Sequence, residues 1–115
     1  MNEEASQEVI TFCEQLVRLN GVMKALFDSG NIELIGEMNK AVKEMHRIQH
    51  SSEDKVLQAV DPECRIIYGN FDMIIAVLRT TEEGVIDAGA QTALNKFLHN
   101  IDESVINIAA ALGIV

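Results

Sequence analysis

The sequence predicts an all-α protein, an antiparallel four-helix bundle, with a five-helix variant that turns a corner at Asp61-Pro62. Apolar residues recur at alternating spacings of three and four in four separate segments, which is the period of helices with one buried face. No segment shows a useful run of strand-like alternation, and the connections between the apolar segments are short. A chain of 115 residues suits one core, so we expect a single helical-bundle domain over residues 1–115.

The first apolar stripe predicts one long helix. Its members are Ala5, Val9, Phe12, Leu16, Leu19, Met23 and Leu26. One flank of the stripe is widened by four further residues: Ile10, Cys13, Val17 and Phe27. Gly21 lies inside the run, where glycine costs up to ~1 kcal/mol relative to alanine, but the unbroken phase indicates that the helix continues through it. A break at Asn20-Gly21 is the alternative, and Ser29-Gly30 predicts the end of the helix.

The second stripe predicts a helix that Asn31 caps by accepting a bond from a free backbone N–H. Its members are Leu34, Met38, Ala41, Met45 and Ile48, with Ile35 and Val42 beside them. The stripe ends near His50-Ser51-Ser52, where Ser51 and Asp54 resemble a capping box.

The third stripe crosses the Asp61-Pro62 pair, which is a start signal for a new helix. The members of this stripe are Leu57, Val60, Cys64, Ile67, Phe71, Ile74 and Leu78. We therefore expect a short helix at about 53–60, a corner, and a helix over 62–79. One helix that kinks at the proline is the alternative.

The last stripe follows a break in the pattern at residues 80–84. Residues 85–91 are ambiguous because glycines stand at positions 84 and 89. The final helix carries Leu94, Leu98, Ile101, Val105, Ile108 and Leu112, and Gly113 lies close to its natural end.

Two segments are more apolar than a monomeric bundle requires. All six residues at 73–78 are apolar, and the tail from Val105 to Val115 is similarly wide, whereas a surface helix needs about three apolar positions in seven. This predicts an apolar interface for a homodimer or for a partner protein. The alternative is that helix 62–79 is a central helix, covered on several sides. The interface candidates are Ile66, Met73, Ile75, Val77, Ile106, Glu82, Glu83, Asp102 and Glu103.

The formal net charge of −9 limits the classes of partner. Phosphate backbones and anionic membranes attract Lys and Arg, so we expect no nucleic-acid partner and no membrane partner. A basic protein partner would be steered in by the acidic surface, although acidity also serves solubility alone. There is no 18-residue apolar run, and the acidic start Met1-Asn2-Glu3-Glu4 is unlike a signal peptide. We expect a cytoplasmic protein.

Local motifs for chemistry are scarce, and we expect no catalytic residue, no cofactor and no metal. Cys13 and Cys64 are isolated among apolar residues, which favours small buried side chains. His46 and His50, four residues apart on one helix face, form the one local pair that offers metal ligands, as an outside alternative. The di-iron motif Glu-x-x-His is absent, because Lys43 and Arg47 stand three residues before these two histidines.

In size and helical class the chain resembles histidine phosphotransfer domains. Those domains place an exposed histidine a few residues before a Lys-Gly pair that supports the phosphoryl group. No such pair follows His46, His50 or His99 in this sequence, so the resemblance covers size and class but not the motif.

The sequence therefore favours a non-enzymatic protein-binding module. Its acidity and aliphatic width suit an immunity-type or antitoxin-type inhibitor that neutralises a basic toxin by direct binding. A homodimeric regulator or adaptor protein is an alternative. An alternative from another class is a metal- or histidine-dependent enzyme, or a phosphotransfer domain, that uses His46 and His50.

Overall fold

The computed structural model describes residues 7–80 and 87–113, and all its regular elements are helices. These five helices are α1 (Gln7–Ser29), α2 (Leu34–Ser51), α3 (Lys55–Ala59), α4 (Asp61–Thr80) and α5 (Ala88–Leu112). The prediction of an all-α helical bundle is confirmed, in the form with four long helices and one short one. None of the helices in the described ranges is both long enough and apolar enough to cross a bilayer.

The four long helices form two antiparallel hairpins that pack against each other. Helix α1 packs along α2 and α4 packs along α5, while contacts of α1 with α5 and of α2 with α4 close the ring. Between α4 and α5, the Asn70–Asn100 hydrogen bond (3.0 Å) and the Glu63–Asn107 hydrogen bond (3.2 Å) lie in opposite order along the two helices. This order shows that α4 and α5 are antiparallel.

The predicted stripes form the core. The largest fully buried side chains among the described residues are Phe12, Leu16, Leu19, Met23, Met38, Met45, Leu57, Cys64, Ile67, Ile74, Ile101 and Ile108. These residues come from all five helices, so no pair of helices would bury its stripe without the others. Burial of a large aliphatic side chain contributes about 1.5–3 kcal/mol, which makes this core the main source of stability.

Helix α1 runs without interruption through Gly21, as the unbroken phase of its stripe predicts. It ends at Gly30, whose φ of 68° lies in the left-handed region and whose N–H donates to the Leu26 carbonyl oxygen at 2.7 Å. Glycine adopts this conformation without the steric cost that a Cβ brings.

The turn between α1 and α2 differs from the predicted cap. The Asn31 side-chain oxygen accepts a hydrogen bond from the Glu33 N–H at 3.1 Å, so Asn31 stabilises the turn before the helix. Helix α2 itself begins at Leu34 and has no side-chain cap at Glu33. The short polar side chain of asparagine competes well for nearby backbone donors, which is why it closes the turn first.

The predicted capping box at Ser51 and Asp54 is wrong. The Ser51 hydroxyl donates to the Arg47 carbonyl oxygen at 2.9 Å, inside the end of α2. Asp54 is instead the N-cap of α3, and its carboxylate accepts from the Val56 N–H at 2.8 Å. The two residues therefore serve different helices.

The corner at Asp61-Pro62 is confirmed. Helix α3 ends at Ala59, and α4 begins at Asp61 with the proline in its first turn, where the missing N–H has no helical partner to lose. Helix α5 begins after Asp87, whose carboxylate accepts from the Ala90 N–H at 2.8 Å. It ends at Gly113, with a φ of 76°.

We expect Gly21→Ala to raise the free energy of unfolding by about 0.5–1 kcal/mol, because alanine has the higher helix propensity. Beyond the adjacent backbone of α1 itself, no described atom lies within 4 Å of a Cβ built at this position, so the substitution meets no neighbouring side chain or helix. Urea denaturation followed by circular dichroism measures the change. The matched control is Gly30→Ala, which we expect to lower stability by about 1–2 kcal/mol because its φ is positive. A destabilised Gly21→Ala would contradict a continuous α1.

Adjacent isoleucines in α4 offer a matched test of the core. Ile67 is fully buried and Ile66 is 43% exposed. We expect Ile67→Ala to lower the free energy of unfolding by about 2–5 kcal/mol, because it leaves a cavity. We expect Ile66→Ala to change it by no more than about 0.5 kcal/mol. Chemical denaturation of both variants checks this, and equal losses would contradict the orientation of α4.

Candidate protein-binding surface

Exposed aliphatic side chains lie in the groove between α1 and α5 and on the neighbouring helix α4. The groove separates α1 from α5, and its volume is about 330 Å³. Val17 of α1 and Ile106 of α5 line it, and these side chains are 57% and 55% exposed. Ile10 stands two turns before Val17 on the same side of α1 and is 43% exposed. We call Ile10, Val17 and Ile106 the α1–α5 patch.

The rim of the α1–α5 groove carries one charge of each sign. Lys24 belongs to α1 and Asp102 to α5, and both line the groove together with the Asn20 amide. Among the ion pairs of the described residues, none involves Lys24 or Asp102. Both charges are therefore available to a partner that covers the aliphatic side chains.

The second aliphatic surface lies on the other flank of α5. Ile66 and Met73 of α4 are two turns apart on one side of the helix and are 43% and 49% exposed. Val77 continues this side and is half-buried. We call Ile66, Met73 and Val77 the α4–α5 patch. Hydrogen bonds between α4 and α5 run beside it: Asn100 donates to Asn70, and Asn107 donates to Glu63.

Positive charge is concentrated on the opposite side of the molecule, around α2. Six of the nine Lys and Arg residues lie on α2, form an ion pair with it or line a groove beside it: Arg18, Lys40, Lys43, Arg47, Arg65 and Arg79. Helix α5 and its cap carry Asp87, Asp102 and Glu103 against the single cation Lys96. The two aliphatic patches therefore flank the more acidic helix.

The structure divides the predicted interface residues among three faces. Ile66, Met73 and Val77 lie in the α4–α5 patch, whereas Ile106 and Asp102 lie in the α1–α5 groove. Ile75 lines a third groove, between α2 and α4.

The last three predicted interface residues are glutamates. Glu103 is exposed on α5, while Glu82 and Glu83 lie outside the residues that the structure describes. Helix α4 contacts α2, α3 and α5, as the alternative of a central helix expects, yet Met73 stays half exposed beside the fully buried Ile74.

Ile10 and Val17 are not among the interface residues that the sequence predicts. Both residues widen the apolar stripe of α1 on one flank, so the signal was present in the sequence. It did not distinguish a flank that packs on a neighbouring helix from a flank that stays exposed.

His46 and His50 lie on the other side of the bundle, in aromatic contacts. Their rings are stacked, with centroids 5.8 Å apart and planes 10° from parallel. The rings of His46 and Tyr68 meet edge to face, with their centroids 4.9 Å apart. The Tyr68 hydroxyl donates to the Gln49 side-chain oxygen at 2.7 Å. Within residues 7–80 and 87–113, no three His, Cys, Asp or Glu side chains converge in a group that could hold a metal ion.

Both cysteines are protonated at neutral pH. Burial raises the pKa of the Cys64 thiol from 9.0 to about 11, and a smaller degree of burial raises the pKa of Cys13. Tyr68, whose pKa burial also raises, lies beside Cys64. Because the thiolate is the nucleophilic form, neither cysteine has the lowered pKa of an activated thiol.

No protein-family model matches this sequence, and neither the curated proteins nor the solved structures contain a significant match.

We expect the free energy of unfolding to fall by about 1–2 kcal/mol between pH 9 and pH 11 through Cys64 alone. The folded protein holds the thiol proton more tightly than the unfolded chain, so this stabilisation is complete below pH 9 and disappears as the pH approaches 11. Urea denaturation of the wild type and of Cys64→Ala at several pH values measures the difference. Stability curves that stay parallel over this range would contradict the assigned burial of the thiol.

Proposed function

We propose that this chain is a non-enzymatic protein-binding module that covers a basic partner with the surface around α5. The subclass that suits it best is an immunity-type or antitoxin-type inhibitor, which neutralises a basic toxin by direct binding. The proposal rests on one observation above all. Val17 and Ile106 line the same groove, and both are more than half exposed.

Exposed aliphatic side chains in the α1–α5 groove and on α4 supply apolar area for a specific interface. An interface core is commonly apolar, whereas its rim is polar and solvent-accessible. Here the aliphatic groups of both patches flank α5, and Asp102 and Glu103 lie on that helix. A surface of this composition favours a partner that presents its own apolar residues among lysines and arginines.

Long-range electrostatics also supports a basic partner. A net charge of −9 attracts a basic protein from a distance and raises its association rate at low salt. Because the cations are concentrated around α2, the attraction is strongest on the side of α5, where the aliphatic patches lie. Charge would thus bring a partner to the apolar surface.

A homodimeric regulator or adaptor is the second candidate, and the rim of the α1–α5 groove favours it. Lys24 and Asp102 carry opposite charges at one groove. Two copies that face each other across a two-fold axis present the same surface to each other, so each lysine has an aspartate to meet. The aliphatic residues Val17 and Ile106 would then pack against their own counterparts.

The test compares tagged wild-type protein with the double variant Val17→Asp/Ile106→Asp in cells that express the protein. We expect the wild type to retain a basic partner and the double variant to bind it at least tenfold more weakly, because both substitutions place a charge in the centre of the interface. Calorimetry with the purified partner measures the affinity. Association rates should fall with salt and with Asp102→Lys.

The matched control is Val56→Asp, since Val56 is 47% exposed on α3 and belongs to neither patch. We expect it to bind like the wild type. Equal partner affinity of the wild type and the double variant would overturn the proposal. Sedimentation equilibrium separates the two candidates, because a wild-type dimer that the double variant converts to monomer supports the homodimer.

A further inference from the structure

A groove between α2 and α4 differs in chemistry from the surface around α5. It has a volume of about 580 Å³, within the range of small-molecule sites. It extends along α4 from Tyr68 to Arg79, eleven residues or about 16 Å of helix. The proposed interaction with a protein uses neither wall of this groove.

The floor of the groove is apolar. Val42 of α2 and Phe71 of α4 are buried at its base, and Ile75 is half-buried beside them. The ring of Tyr68 closes one end, where it meets His46. A hydrocarbon chain that lies along these residues would remove apolar surface from water.

Two cations line the same groove, and neither is in an ion pair with a residue that the structure describes. Lys43 stands on α2 and Arg79 on the last turn of α4, and neither forms an ion pair with another described residue. In contrast, Lys40, Arg47 and Arg65 all pair with carboxylates along their own helices. Lys43 and Arg79 therefore differ from these three paired cations, because no described carboxylate forms an ion pair with either of them.

The register of the two helices places these groups in order along the groove. Gln49 and His50 line a groove with Asp61 and Arg65, whereas Asn39 lines this one with Arg79, so α2 and α4 run in opposite directions. Since Gln49 bonds to Tyr68, Asn39 and Arg79 lie toward the far end. Lys43 and Asp72 lie between these ends, one on each wall. Asp72 is the only carboxylate among the residues that line the groove in the described chain, so the lining carries two fixed positive charges and one negative charge.

We propose that the α2–α4 groove binds a soluble monocarboxylate with an aliphatic chain. The carboxylate lies between Lys43 and Arg79, where the Asn39 amide offers a further donor. The chain lies on Val42, Phe71 and Ile75 toward Tyr68. Charge complementarity selects this occupant, because a chain of net charge −9 presents in this groove two cations that no described carboxylate pairs with, beside an apolar floor.

The experiment titrates sodium octanoate into the ¹⁵N-labelled full chain and follows the backbone amide signals. We expect the shifts to be concentrated in residues 39–46 of α2 and 68–79 of α4. Two further compounds separate the contributions of the aliphatic chain and the carboxylate to binding. The compound 1-octanol has the chain without the charge, and acetate has the charge without the chain. Each should bind at least tenfold more weakly than octanoate.

Variants then test the assigned charges. We expect Lys43→Gln and Arg79→Gln each to raise the octanoate Kd about two- to fivefold, the range for an exposed ion pair. Asp72→Asn should lower the Kd about twofold, because it removes the repelling carboxylate. Lys40→Gln is the control on α2, as Lys40 pairs with Glu37 and does not line the groove.

Lys24→Gln and Val17→Asp, in the α1–α5 groove, should leave octanoate binding unchanged. Since those residues belong to the proposed protein-binding surface, the two proposals fail independently of each other. Octanol that binds as tightly as octanoate, shifts that map to the α1–α5 groove, or no shift at any octanoate concentration below micelle formation would each overturn this inference.

Discussion

Shared burial of four aliphatic stripes is the constraint on which the rest of the molecule depends. Each long helix has one continuous apolar face, and a helix of this kind is stable only where neighbours cover that face. The ring of α1, α2, α4 and α5 provides the cover, and its fully buried side chains come from every helix. The α1–α5 groove and the α2–α4 groove both follow from that arrangement.

The stripes are wider than the core, and the excess determines what the surface offers. A helix in a four-membered ring has two neighbours, so the residues at the outer edge of a wide stripe remain in water. Val17, Ile106 and Met73 stand at such edges. Their positions on both flanks of α5 turn a general excess of aliphatic residues into two defined patches.

Charge is distributed as unevenly as apolar area. The acidic composition as a whole favours basic partners, yet α2 itself carries three cations, Lys40, Lys43 and Arg47, against the carboxylates Glu37 and Glu44. The surface proposed for a basic protein and the groove proposed for a small organic anion therefore lie on different sides of the bundle.

The sequence alone determined the helices, since the three-four spacing, the continuous phase through Gly21 and the Asp61-Pro62 start signal are local properties of the chain. It also identified Ile66, Met73 and Ile106 as excess apolar residues. Which of the excess apolar side chains stay exposed, and which groove each charge lines, depends on how distant segments of the chain pack. Packing brings Lys43 and Arg79 to one groove and Val17 and Ile106 to another. Periodicity fixes the direction of a side chain on its own helix, but the neighbour it meets is set by packing.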